Sequence, residues 1–375
     1  MTTVSSPRTA AGVDFEALKR LWKPVSVLLF ARVVMLAGLY VYQHVLHRFV
    51  VNNWDGGWYI YAAQHGWPHK VLPGFGDSAQ DTLAFFPGFP TAIRVVHFVL
   101  PVSWTRAGEG AALLTQIAMV IGLWILTRDI WGTEVADRTI VLFCFFPGAF
   151  IFAILYSEPM LIALACLCLI AMRRRWWLIA GLAASLGGAT RVVGLALVAC
   201  CAWESWQAIR QRREWRSLRA VLLSPLAVVG WFAYLWASTG DKYAWFDTEK
   251  NGWAQKSSIM AIPHLVQAVL HDRPAQPNVV VPFLSTLIAV VLFALLIKVK
   301  APALLVVYAA AVLLISATSV NPDGLRFRFV MTAFPLIMVL GYKLKGDVYA
   351  LVVAASAVLM TSILVVTMTG ATLIP

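Results

Sequence analysis

Residues 25–45 read VSVLLFARVVMLAGLYVYQHV, and residues 54–67, a short step later, read WDGGWYIYAAQHGW. The first stretch is apolar for long enough to cross a hydrocarbon core of about 30 Å as a helix. The second turns at once to aromatic and polar residues around one carboxylate, Asp55. Trp54, Trp58 and Tyr61 follow helical spacing, and Trp and Tyr settle at headgroup level. Together the two stretches read as a span followed by a short helix at the membrane surface.

The first pattern recurs along the chain. Further apolar runs occupy 84–102, 109–128, 139–156, 159–172, 176–190, 192–207, 219–237, 279–297, 301–318, 327–342 and 348–370. The 375 residues are 60% hydrophobic and 13% charged, against about 25% charged in soluble domains. Sustained period-2 alternation is absent, which argues against a barrel and for helices that satisfy their own backbone in lipid. The expected fold class is an all-α polytopic membrane protein with a single integral membrane domain over 1–375.

The net charge of +12 does not point to nucleic acid, because the basic residues sit in short loops between apolar runs. Lys19, Arg20 and Lys23 precede the first run. Arg173–Arg175, then Arg210, Arg212, Arg213, Arg216 and Arg219, then Lys298 and Lys300, then Lys343 and Lys345 follow. Placing all five clusters in the cytoplasm requires one run before Arg173 not to cross. The run 84–102 is the candidate, since Pro87 and Pro90 break its start and Arg94 and His97 interrupt the rest. The reading is about eleven transmembrane helices plus a juxtamembrane or re-entrant element. Residues 1–24 form a cytoplasmic tail leading into a retained span, residues 46–108 the first external loop, and 238–278 a second large external loop. The five cysteines lie in apolar runs without metal or disulfide spacing.

On this topology the unusual polar residues collect on the external face, each with a plain and a chemical reading. Asp55 caps the helix that follows and, at a partly apolar interface, acts as a general base with a raised pKa, two roles that do not exclude each other. Phe86 and Pro87, within FFPGFP (Phe85–Pro90), form a proline-held helix entry or the wall of a groove for an isoprenoid chain. Glu158, in YSEP, lies in the favoured first turn of a helix capped by Ser157, or orients an acceptor or supports the base. Arg191, in GGATRVVG, snorkels or binds phosphate. The loop Thr239–Lys256 is a solvated surface or covers a lipid head group with Trp245, Trp253 and Lys256. Arg326 and Arg328, in NPDGLRFRF (Asn321–Phe329), anchor a span or clamp a lipid phosphate. Arg32, inside the first span, needs a partner that the sequence does not name.

Taken in order, these motifs resemble the PIG-V family, the second mannosyltransferases of GPI-anchor synthesis and their bacterial relatives, within the GT-C glycosyltransferases. The matching pieces are Trp54–Asp55 with Tyr59 or Tyr61, Ala84–Pro90, Tyr156–Glu158, Thr190–Gly194, Gly240–Asp241 through Trp245, and Arg326–Val330 with Pro335. The resemblance implies a GT-C-type helical bundle in the plasma membrane with its active site outside. It implies a polyprenyl-phosphate-mannose donor, a glycolipid or glycan acceptor, and inversion at the anomeric carbon with Asp55 as base. Glu158 would assist Asp55. Trp54, Tyr59, Phe86, Pro87, Arg191, Asp241, Trp245, Arg326 and Arg328 would bind substrate, with no metal and no cofactor. The short external loops depart from the eukaryotic members and leave the acceptor open. A transferase for another polyprenyl-phosphate sugar, a lipid or small-molecule transporter, and a partner subunit of a membrane assembly are the alternatives. A transporter would be expected to show two related halves, which the sequence lacks.

Overall fold

The computed structural model describes residues 15–45, 54–272, 276–320 and 324–368. Residues 1–14 of the expected tail, part of the first external loop (46–53) and Asn321–Asp323 of NPDGLRFRF lie outside these. In chain order the helices are α1 (Phe15–Val45), α2 (Asp55–His65), α3 (Gly88–Val99), α4 (Trp104–Trp131), α5 (Thr133–Cys144), α6 (Glu158–Arg173), α7 (Trp177–Gly188), α8 (Ala196–Arg212) and α9 (Leu218–Leu223). They continue with α10 (Leu226–Thr239), α11 (Ala244–Trp253), α12 (Ala261–Gln267), α13 (Pro277–Lys298), α14 (Ala303–Ala317), α15 (Phe327–Thr332), α16 (Pro335–Lys343) and α17 (Gly346–Met368). Two short strands, β1 (Lys256–Ser257) and β2 (Ser319–Val320), pair antiparallel.

Among the described residues six helices are long and apolar enough to cross a membrane, or seven if α5 and the 3₁₀ turn Pro147–Ala153, bent by 71°, form one span. The apolar runs expected as eleven crossings are thus all helical, but several are short or broken. Helix α6 has 16 residues, α7 12 and α14 15, and the run 327–342 divides into α15 and α16. The proline-bearing run 84–102 yields α3, which has 12 residues and begins after Pro87. At 1.5 Å per residue such a helix is about 18 Å long, short of a hydrocarbon core.

The core is built around α4, which packs on α1, α3, α5 and α6, while α6 packs on α7, α5 on α16 and α8 on α14. Its interior is filled by Leu123, Trp124, Phe143, Phe152, Leu169, Tyr308 and Phe334. All five cysteines are buried and free within it. Arg32 finds its partners here: its guanidinium donates to the Gln116 side chain (2.6 Å) and to the Phe152 carbonyl. That contact ties α1 to α4 and to the bent segment after α5.

Two glycines fix how the loops at one end of the bundle meet. Gly88 N–H donates to the Ala189 carbonyl at 2.7 Å, and a Cβ on Gly88 would lie 2.7 Å from the same oxygen. FFPGFP is thereby laid directly against GGATR. Gly148 likewise lets the 3₁₀ turn approach the Phe327 carbonyl more closely than any side chain allows. This seats RFRF against the bundle.

Candidate functional site

Helices α2 and α6 begin at the same end of the bundle, with Asp55 and Glu158 as their first residues. The end of α7 and the start of α15 bring Arg191 and Arg328 to that point. Arg328 Nη1 lies 3.2 Å from Glu158 Oε1 and 3.8 Å from Asp55 Oδ2, and Arg191 Nη1 lies 3.1 Å from the same Glu158 oxygen. Ser157 Oγ takes a contact from Arg191 at 3.4 Å and pairs with Tyr59 OH at 2.8 Å. Arg328 also stacks over the rings of Tyr156 (5.2 Å) and Phe329 (4.9 Å). Arg326 enters α15 in extended conformation and is buried, its guanidinium 5.4 Å over the same Phe329 ring. Five residues drawn from four distant stretches of sequence thus form one charged cluster.

The local backbone explains the aim of Asp55. Trp54 caps α2 with φ +42°, a left-handed region that costs a non-glycine residue about 1–3 kcal/mol. Its indole N–H is held by the Thr367 carbonyl of α17 at 3.2 Å. The helix-cap reading of Asp55 is therefore corrected: Trp54 occupies the cap, Asp55 is the first helical residue, and its carboxylate turns to Arg328. Ser157 does occupy the cap position of α6, but its hydroxyl makes no cap bond and serves Tyr59 and Arg191 instead. Of the two tyrosines, Tyr59 faces the cluster, while Tyr61 is 53% exposed.

Burial separates the two carboxylates. The Glu158 side chain is 1% exposed and shares one oxygen between two guanidiniums, whereas that of Asp55 remains 26% exposed. Burial raises the Asp55 pKa, and Arg328 and Arg191 pull it back. Asp55 is thus the accessible carboxylate and Glu158 the one that positions arginine. Tyr156 OH, Glu158 Oε2 and Arg328 Nε are buried without a hydrogen-bond partner among the described residues. Leaving such atoms unpaired costs about 1–3 kcal/mol each, so the cluster is poised for a polar ligand.

A third carboxylate was not singled out in the sequence. Glu249, on α11, is pushed up to about 7 by burial and by the charge of Asp55, against the opposing pull of Arg191, Arg326 and Arg328. Helix α11 packs over the 3₁₀ turns at 76–79 and 82–84, and its Trp253 ring meets Trp58 (5.6 Å) and Phe85 (5.5 Å). Trp245, Thr248, Glu249 and Gly252 share one helix face at i, i+3, i+4 and i+7, which is the signal the sequence carries for Glu249.

Other expected residues lie apart from the cluster. Asp241 accepts the Tyr243 N–H at 2.8 Å and turns the chain into α11. Trp245 donates to the Ala84 carbonyl at 3.1 Å and packs on Phe86 and Phe232. Phe86 is buried with Trp231 and Leu235, and Pro87 caps α3. Among the described residues no group of three or more His, Cys, Asp or Glu side chains forms a cation site.

The architecture is shared with solved membrane proteins. ArnT from Cupriavidus metallidurans bound to undecaprenyl phosphate superposes with TM-score 0.54 at 15% identity, over 89% of this chain and 62% of that one. The apo form of the Archaeoglobus fulgidus oligosaccharyltransferase gives 0.51 at 12% identity, over 94% and 56%. The chain therefore spans less than two thirds of either protein. The fold is an all-α polytopic bundle like that of these two proteins. No family model matches the sequence, and no curated protein matches it.

Proposed function

We propose that the chain is a membrane glycosyltransferase that moves a sugar, mannose in our reading, from a polyprenyl-phosphate donor to a hydroxyl of a glycolipid or glycan acceptor. The observation that carries this is the juxtaposition of a partly exposed carboxylate, Asp55, with three arginines in one cluster. Arg191, Arg326 and Arg328 face two ion-paired carboxylates, so the cluster is net positive when Glu249 is protonated. A phosphodiester brings one negative charge. The shared fold supports the reading, as does the undecaprenyl phosphate bound by ArnT. The basic loops support a site on the external face of a plasma membrane, with the amino terminus inside.

In this mechanism Asp55 accepts the proton of the acceptor hydroxyl. The hydroxyl oxygen bonds to the anomeric carbon from the face opposite the phosphate. The carbon–oxygen bond to phosphate breaks, its electron pair leaves with the polyprenyl phosphate, and the centre inverts. Charge developing on the leaving phosphate meets guanidiniums already fixed by Glu158, a preorganised field of the kind that contributes most to catalysis. Tyr59 and Ser157 hold Arg191 in register. Glu158 thus positions the arginines, in place of orienting the acceptor or supporting the base.

The sugar is tested with purified chain in liposomes supplied with polyprenyl-phosphate-mannose, -glucose or -arabinose and a host lipid extract. Labelled product from the mannosyl donor alone is expected. Product from another donor only would replace mannose, and transbilayer movement of donor without transfer would replace the enzyme reading by a transporter.

A further inference from the structure

A pocket separate from the charged cluster lies behind FFPGFP. It holds about 460 Å³ and is lined by Gly66, Trp67, Pro87, Arg94, Trp231 and Tyr234. Such a volume falls within the range of about 300–1,000 Å³ typical of small-molecule sites. The FFPGFP segment divides it from the cluster. Phe85 packs with Tyr59 on the cluster side, and Phe86 packs with Trp231 on the other. Pro87 lines the pocket, while the adjacent Gly88 N–H is bonded to Ala189, two residues before Arg191.

Its walls are aromatic rings with polar edges. Trp231 stacks on Tyr234 (5.5 Å, 18°) and meets Trp67 edge-on (5.1 Å, 68°). Trp67 is locked by its indole N–H to the Phe85 carbonyl at 2.9 Å, with the Arg94 guanidinium 5.7 Å above its ring. Arg94 itself is fixed by donating to the Ala63 and Ala62 carbonyls. The indole N–H of Trp231 has no partner among the described residues although the side chain is only 4% exposed. A buried indole N–H ordinarily finds a partner, so this one awaits an acceptor atom.

We propose that this pocket is a carbohydrate subsite that seats a sugar ring of the acceptor, a proposal that rests on reading the neighbouring cluster as a sugar-transfer centre. A pyranose offers flat C–H faces for the Tyr234 and Trp67 rings and hydroxyl oxygens for Arg94 and, once the buried Trp231 ring turns outward, for its N–H. A hydrocarbon chain would leave both donors unanswered. A bare anion would find one cation and three rings. No carboxylate lines the pocket, and the Arg94 guanidinium in its wall repels a cation that the rings would otherwise attract. Pro87, beside the Gly88 that bonds Ala189, would hold the next hydroxyl of a bound glycan toward the cluster.

The test uses the full chain in phosphatidylcholine nanodiscs, free of glycoside detergent, titrated calorimetrically with octyl α-mannoside, octyl phosphate or octanol. Trp231→Phe removes the N–H and keeps a ring, and Tyr234→Ala removes the stacking face. Octyl mannoside is expected to bind more tightly than octanol. Its affinity should fall about two- to tenfold in Trp231→Phe, as for one lost hydrogen bond, and further in Tyr234→Ala. Elution volume and Tm of each variant serve as folding controls. Equal binding of octanol would overturn the proposal, as would octyl phosphate binding that alone responds to Trp231→Phe. So would mannoside binding indifferent to both changes. If mannoside binding follows the substitutions but the native chain transfers no sugar, the transfer reading fails and the pocket stands. If transfer occurs while mannoside binding ignores the substitutions, the pocket fails alone.

Discussion

Replacing Glu249 by glutamine should remove a pH dependence from donor binding. The Glu249 carboxyl is held near 7 by burial and by Asp55, against a usual value of 4.5. Because the folded pKa is raised, ionising Glu249 works against the folded chain. Stability from this group is full below about 4.5 and is lost as pH rises through about 7. A tenfold change in a proton equilibrium is worth about 1.4 kcal/mol, so the loss is about 3 kcal/mol once the group is fully ionised. A polyprenyl-phosphate-sugar carries one negative charge that does not titrate in this range, and it meets the same arginines. If it binds the protonated form, its apparent Kd should rise about tenfold between about pH 6 and about pH 8, following the protonated fraction of a group with pKa near 7. In Glu249→Gln the Kd should change less than about twofold, and the variant should melt higher than the native chain at about pH 8 but not at about pH 5. Equilibrium binding of a fluorescent polyprenyl-phosphate-mannose in nanodiscs measures the first and thermal unfolding the second. An unchanged slope in Glu249→Gln, or a flat native profile, would refute the placement of Glu249 against the arginines.

Arg328→Met should cost about 3–5 kcal/mol, as expected when one member of a buried ion pair is removed, because the Glu158 carboxylate at 1% exposure keeps only Arg191. A fall in Tm with loss of donor binding checks this. Gly88→Ala sets a Cβ 2.7 Å from the Ala189 carbonyl and should cost about 1–3 kcal/mol. Unfolding and donor affinity should both suffer, since FFPGFP and Arg191 part together. Tyr59→Phe deletes the 2.8 Å bond to Ser157 at about 0.5–1.5 kcal/mol, with a change in turnover larger than the change in donor Kd.

The fold was legible because apolar run length and basic loops are direct imprints of a bilayer. The number of crossings was less so. A hydropathy run does not reveal that Pro147–Ala153 bends by 71° from α5, or that 327–342 breaks between Thr332 and Pro335. The cluster residues Asp55, Glu158, Arg191, Arg326 and Arg328 stood out because charge near lipid is costly. Their mutual pairing did not, since it depends on glycine contacts at 88 and 148 between segments far apart in sequence. Glu249 was hidden among Asp241, Lys242, Asp247 and Lys250, where charge is ordinary. Only the helical stripe with Trp245 and Gly252 distinguished it. Asp241 and Trp245 were drawn toward the site by motif order, but a local turn and an aromatic cluster use them.

The most direct test of the central claim compares the native chain with Asp55→Asn in one preparation, measuring donor binding and label transfer together. The substitution keeps the shape and removes the proton acceptor. The native chain is expected to transfer label from polyprenyl-phosphate-mannose, with transfer lost in Asp55→Asn and donor affinity held within a few fold. Transfer at the native rate by Asp55→Asn would contradict the claim.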